Sequence, residues 1–211
     1  MTTAQFSVFF AVLSLACWAG TISALVIAVG RRSSPALALA FENVAGAALW
    51  LAWLVATVTT LGSLYFSLIA HFQPCELCWY QRICMYPLSA VLLVAAVRRE
   101  RGIWMYVLPQ AVVGAVIAVY HTQLQAFPKQ VTFCSSFNPC TTRYVWEFGF
   151  VSLPFMALTA FCFVIVMIFF ARAVRPPVGE DDGEDDDEDD EEDEMTEAPD
   201  RVVASVGEAG R

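Results

Sequence analysis

The stretch V-A-G-A-A-L-W-L-A-W-L-V-A-T-V-T-T-L-G-S-L-Y-F-S-L-I-A, residues 44–70, runs for 27 positions without a charged side chain. A helix needs about 20 apolar residues to cross a bilayer's hydrocarbon core. Inside lipid the backbone must satisfy its own hydrogen bonds, so a span of this length reads as a helix. It shows none of the strict alternation of a barrel strand. The same reading extends outward to four more stretches. Phe6–Gly30 is 25 residues long with no charge, Ile103–Tyr120 is 18 with none, and Phe148–Ala171 is 24 with none. Cys78–Val97 is 20 residues long and holds one charge, Arg82.

Composition agrees. The 211 residues are 58% hydrophobic and 16% charged, against about 25% charged in soluble domains. The net charge of −9 conceals a split. Residues 180–211 hold 17 of the 21 acidic side chains, whereas residues 1–179 hold 4 acidic and 10 basic ones. The isoelectric point of about 4.6 therefore describes the C-terminal segment and not the body. A soluble two-layer fold, a nucleic-acid-binding module and a wholly disordered chain are excluded as descriptions of the body. The acidic run itself cannot bury a core and reads as a disordered tail. It serves either as a solubilising segment or as a docking segment, and nothing in it selects a partner.

The connectors carry the orientation. Arg31, Arg32, Arg98, Arg99, Arg101, Arg172 and Arg175 fall on one side of five alternating spans, and Arg82, Lys129 and Arg143 fall on the other. Cytoplasmic loops attract Lys and Arg. The tail is thus expected inside, with the N-terminus, residues 71–78 and residues 121–147 outside. The first span lacks a basic n-region and is longer than a signal peptide's apolar core, so it reads as a retained helix.

This topology sorts the seven cysteines. Cys17, Cys84 and Cys162 lie within spans, where a cysteine is usually a small buried hydrophobe. Cys75 and Cys78 form C-E-L-C at the outer mouth of the third span. Cys134 and Cys140 share the outer loop, read as mobile and reachable. All four lie where disulfides persist. Pro74 precedes Cys75, and a helix starting there would present free N–H groups and partial positive charge to a thiolate. Arg82 lies one turn beyond Cys78 on the same face. It is either an interfacial charge with its head in water or a cation favouring a thiolate or an anionic acceptor.

Each exofacial pair taken alone could be a structural staple. Together, one pair at the membrane edge and one on a loop suit a relay of electrons from a soluble protein thiol into the membrane. A lipid-soluble quinone is the natural acceptor there. His121 ends the fourth span and reads either as an interfacial histidine or as a hydrogen-bond donor to a quinone carbonyl. Trp79 and Tyr80 are aromatic-belt residues by default, with walling of a quinone ring as the sharper alternative.

W-L-V-A-T-V-T-T-L-G-S-L-Y-F-S (53–67), P-C-E-L-C-W-Y-Q-R-I-C-M-Y-P-L (74–88) and C-T-T-R-Y-V-W-E-F-G-F-V-S-L-P (140–154) resemble the disulfide bond formation protein B family, DsbB/BdbC. The likeness covers about residues 46–171. It implies a four-helix bundle in a bacterial cell (inner) membrane that reoxidises an extracytoplasmic thioredoxin-like dithiol oxidase (DsbA/BdbD-like) and reduces a quinone, either menaquinone or ubiquinone. By similarity, Cys75 and Cys78 are the quinone-coupled catalytic pair, and Cys134 and Cys140 exchange with the partner. Arg82 matches the family's quinone-site arginine, and His121 stands where some members carry a quinone-proximal histidine. The expected organisation is all-α. Residues 1–32 form an extra transmembrane helix, 33–175 the four-helix membrane domain, and 176–211 the disordered acidic cytoplasmic tail.

Two other classes compete. Four outer cysteines could hold a tetrahedral Zn²⁺, although the five-residue gap between Cys134 and Cys140 is wide for a zinc knuckle and an oxidising compartment opposes it. No metal is expected. A structural membrane subunit with two inert disulfides is the remaining alternative. The five spans hold no acidic residue and so no intramembrane acidic pair, which argues against a transporter.

Overall fold

The computed structural model describes residues 3–100, 102–130, 134 and 138–173. The acidic segment read as a disordered tail lies outside the described residues. Five helices follow in order: α1 Thr3–Gly30, α2 Pro35–Leu68, α3 Glu76–Arg98, α4 Trp104–Ala126 and α5 Leu153–Ala173. Each is long and apolar enough to cross a membrane. Among the described residues the only β pairing is an isolated bridge between Glu147 and Val151.

Three boundaries differ from the hydropathy reading, each for a local reason. The second helix begins at Pro35 and not near Val44. Ser34 has extended backbone angles and Pro35 sits in the first turn, where its missing N–H costs nothing, so the helix carries Glu42 within it. The fourth helix continues past Tyr120 to Ala126. Its polar H-T-Q-L-Q end stays helical because His121, Leu124 and Gln125 turn inward and are buried. The fifth begins at Leu153, because residues 147–151 form a tight turn with Phe148 at φ 53° and Gly149 at φ 80°. Gly149 accepts that left-handed conformation without a Cβ clash. The turn is apolar, and composition alone does not distinguish it from a helix.

Helices α2 to α5 form a four-helix bundle in which sequence neighbours pack together and α5 closes the ring against α2. Ala45, Ala48, Ala52 and Ala56 are all buried on one face of α2, and such small residues let backbones approach closely in lipid. On α4, Gly114 does the same against Phe161 of α5, where a Cβ would come within 2.3 Å of the ring. α1 packs on α2 and α5, with Ser7, Ala11, Ser14, Thr21 and Ala24 as its buried seam. The opposite surfaces are strongly apolar. Val29 is 81% exposed, Leu61 60% and Val116 63%. A water-soluble monomer does not spread such side chains over every helix, whereas a bilayer requires it.

The alternation of helices brings residues 69–75, 127–130, 134 and 138–152 to one end of the bundle. The other end carries Arg31, stacked 4.3 Å from the Phe41 ring centroid, and Arg172, stacked 4.0 Å from that of Trp104.

Candidate redox site

Pro74 and Cys75 start α3. Cys75 is the N-cap, with extended backbone angles and no side-chain cap bond. Its Sγ is therefore free for other partners, beside the unpaired N–H groups of the first turn. It lies 3.1 Å from Cys78 Sγ one turn on, beyond the roughly 2.05 Å of a disulfide, so the two are thiols in hydrogen-bond contact. Cys75 is 5% exposed. Its thiol is pulled down from the usual value to about 4. The hydrogen bond from the Cys78 thiol contributes most, burial works against it, and the hydrogen bond and charge of His121 add to the lowering.

His121 is buried in α4 and is not the start of a loop. Gln81, on α3, places its Nε2 3.2 Å from His121 Nδ1. Nε2 lies 3.1 Å from the carbonyl oxygen of Cys140 and 3.6 Å from Cys75 Sγ. One imidazole thus faces both cysteine pairs.

Cys134 and Cys140 are joined in a disulfide, with Cα atoms 5.9 Å apart. The expectation that both sit on a reachable mobile loop is corrected for Cys140, which is 1% exposed. It packs with Cys75, Leu77 and Leu124 in a small apolar cluster, with Cys78 and Cys134 against it. The segment around it is pinned. Asn138 Nδ2 donates to the Pro74 carbonyl at 2.9 Å, and Gln125 Nε2 to the Thr142 carbonyl at 2.9 Å. Arg143 Nε donates to the Gln125 carbonyl at 2.8 Å, where a cation suits the exposed carbonyls of a helix C-terminus. Cys134 is half-buried.

On the other side of Cys78 a cavity of about 370 Å³ opens between α1, α2, α3 and α5, with Cys78, Gln81 and Arg82 on its wall. Arg82 donates to Ser67 Oγ and, at 3.4 Å, to the Ser63 carbonyl. Its guanidinium also lies 5.3 Å from the Trp79 ring centroid. Tyr86 Oη donates to Ser63 Oγ at 3.2 Å. Trp79 and Tyr80 are exposed and do not line the cavity. The aromatic walls are Phe10, Phe66, Tyr86, Phe161 and Phe163. Gln81, Asn138, Arg143, Ser63 and Ser67 carried no distinguishing spacing in the sequence. Only Gln81, one residue before Arg82 in a helix, could have been placed near Cys78.

The four outer cysteines do not present a joint thiolate set, since two of them are already bonded to each other. Instead the ligand atoms of Cys75, Cys78 and His121 lie within 4.8 Å of one another. A soft ion there would compete with the Cys140 carbonyl for His121 Nε2.

The family model for disulfide bond formation protein DsbB matches residues 45–171, the span holding Cys75, Cys78, Arg82, His121, Cys134 and Cys140. The chain belongs to the DsbB family. It is thereby a multi-pass membrane oxidoreductase of disulfide bond formation. The Disulfide bond formation protein C of Bacillus subtilis is 45% identical over 122 residues, covering 57% of this chain and 88% of that relative. A probable disulfide formation protein of Coxiella burnetii is 43% identical over 129 residues, covering 58% and 88%. The probable disulfide formation protein C 1 of Bacillus anthracis is 46% identical over 125 residues, covering 58% and 89%. No solved structure matches the chain. α1 precedes the residues matched by the DsbB family model.

Proposed function

We propose that this DsbB-family chain is a thiol:quinone oxidoreductase that reoxidises a thioredoxin-like dithiol oxidase outside the cytoplasm. The observation that carries the reading is the placement of the Cys75–Cys78 dithiol between a buried disulfide cysteine and an apolar cavity. Cys134, the more accessible partner of the outer disulfide, takes the attack of the oxidase thiolate. A second oxidase thiolate then resolves the mixed disulfide, leaving the oxidase oxidised and Cys134 and Cys140 as thiols. Cys140 then attacks Cys78 of the Cys75–Cys78 disulfide and expels the Cys75 thiolate, and Cys134 displaces Cys78 from Cys140, which restores Cys134–Cys140 and leaves the two electrons on Cys75 and Cys78. Cys75 leaves readily because its thiolate is stabilised. Its lowered pKa makes it the better leaving group.

Cys78 and Arg82 then face the membrane acceptor. The cavity fits a quinone, because its donors (Arg82, Tyr86, Ser63) gather at one end and mostly apolar side chains line the rest. A bound quinone supplies the terminal acceptor for two electrons and two protons. Arg82 holds negative charge developing at that end, and His121 fixes the geometry between the pairs. Menaquinone and ubiquinone share the ring carbonyls these donors would meet. The basic loops put the tail in the cytoplasm and the cysteines outside.

The test mixes purified protein with a reduced thioredoxin-like oxidase and a quinone and follows quinone absorbance. Oxidase-dependent loss of quinone absorbance supports the reading. Inertness of both pairs toward mild dithiol would favour structural disulfides. The compact Cys75, Cys78 and His121 donor set favours one second reading, a bound thiophilic ion. A stoichiometric metal retained by the active protein would establish it.

A further inference from the structure

We propose that α1, which lies outside the family-matched residues, forms the wall along which the hydrocarbon chain of the quinone runs, and so selects tailed over tail-less quinones. This rests on the reading of the cavity as the quinone site. α1 contributes Phe10, Leu13, Ser14 and Cys17 to that cavity. Their depth is set by α2. Phe10 sits over Gly62, where a Cβ would come within 2.7 Å of its ring. Gly62 adjoins Ser63, whose carbonyl Arg82 binds. Phe10 is therefore level with the polar end. Cys17 lies two turns further along, about 10 Å deeper at 1.5 Å per residue. Between these levels the opposite walls are Val55 and Val58 of α2 and Ala160 and Phe163 of α5.

A groove between α2 and α5 alone would open sideways to lipid tails. α1 closes it, and its outer end is fixed in place. Ser7 Oγ donates to Glu147 Oε1 at 2.7 Å, and Phe6 stacks on Tyr65 at 4.2 Å between centroids. Gly20 brings α1 within 3.5 Å of Phe163 below. The slot that results has its donors at the top and a mostly apolar channel beneath, partly open to the surface, matching a quinone ring with an attached chain. Lipid removes the hydrophobic transfer as a driving force, so the wall acts by shape, through close packing along the chain.

The experiment uses the full-length protein and measures direct binding of decyl-ubiquinone and of its tail-less parent quinone, alongside KM for each. Cys17→Phe fills the deep end. It should raise Kd and KM for decyl-ubiquinone about tenfold, the scale of overpacking one buried position, and leave the tail-less quinone nearly unchanged. Leu13→Trp tests the same wall one turn higher if Cys17→Phe fails to fold. Val12→Phe, on the 52% exposed lipid face of α1, should change neither. Exchange of Cys134–Cys140 with a small dithiol reports intact folding in every variant. Wild-type binding of both quinones with filled variants unchanged, or equally weakened for both, overturns the wall alone. Wild-type protein that binds neither quinone overturns the reading of the cavity, and this proposal with it.

Discussion

His121 Nε2 lies 3.1 Å from the carbonyl oxygen of Cys140, so a side chain of α4 is tied to the backbone of the loop disulfide. The same nitrogen is 3.6 Å from Cys75 Sγ. A thiolate at Cys75 and a disulfide at Cys140 are thus held at one imidazole, and Gln81 holds that imidazole from α3. Removing the ring should disturb both pairs while leaving the helices in place.

The titration of Cys75 tests this. Its thiol is lowered to about 4, first by the Cys78 hydrogen bond and then by His121. A lowered pKa means that the thiolate is present above about pH 4 and is lost as pH falls through it. His121→Ala should move the midpoint of thiolate ultraviolet absorbance upward, and Cys78→Ala should move it further, because the larger contribution is lost. Coincident titrations for wild type and both variants would mean that neither neighbour tunes Cys75.

The two pairs should separate by function. Cys134→Ser or Cys140→Ser should stop oxidation of the partner dithiol yet leave Cys75–Cys78 oxidisable by quinone. Cys75→Ser or Cys78→Ser should abolish quinone reduction. Rapid-quench alkylation followed by peptide mapping measures which pair turns over. Equal and mild losses from all four substitutions would point to structural disulfides.

The five spans were legible because an uncharged run of 18 or more residues has one solution in lipid. The two cysteine pairs were legible from their positions against those spans. Burial of Cys140 was not, because it depends on Leu77 and Leu124, residues remote in sequence that carry no signal beyond being apolar. The cavity was equally hidden. Its donors Ser63 and Ser67 sit in an apolar run where serine is unremarkable, and only the crossing of α3 over α2 brings Arg82 to them. Arg82 itself was found because a charge inside a span demands a reason.

Packing at Gly114 should be unforgiving. A Cβ there meets the Phe161 ring at 2.3 Å, and Phe161 is fully buried between helices. Gly114→Ala should lose about 1–3 kcal/mol, the usual cost of overpacking. Gly46→Ala, with nothing within 4 Å, should instead gain up to about 1 kcal/mol from helix propensity. Thermal midpoints in one detergent decide the comparison. Equal midpoints for the two variants would show that the α4–α5 seam can open.

Orientation is open to a direct measurement. Seven basic residues against three predict a C-terminal segment on the inside. An impermeant maleimide applied to intact cells should reach Cys134 after mild reduction and should miss a cysteine introduced by Ser205→Cys. Labelling of position 205 from outside would reverse the topology and remove the extracytoplasmic partner from the mechanism.

Arg82 is the sharpest test of the acceptor site. Its guanidinium reaches Ser67 Oγ and the Ser63 carbonyl, and it borders the cavity one turn from Cys78. These two contacts orient the fork but leave its charge unneutralised, since no ion pair to Arg82 is found among the described residues. The positive field at the polar end of the cavity is therefore available to negative charge developing on an acceptor oxygen. Lys keeps the charge and loses the planar array of donors, so Arg82→Lys should retain part of the activity. Arg82→Ala and Arg82→Gln should cost about 1.5–3 kcal/mol, as for hydrogen bonds to charged groups, or roughly ten- to a hundredfold in quinone kcat/KM. Single-turnover oxidation of the partner dithiol at Cys134–Cys140 should stay at the wild-type rate in all three, because that step never reaches the cavity. Steady-state quinone reduction at varied quinone concentration, run beside the single-turnover assay, separates the two. If Arg82→Ala keeps the wild-type quinone KM, Arg82 only anchors α3 to α2 through Ser67, and the acceptor must bind elsewhere.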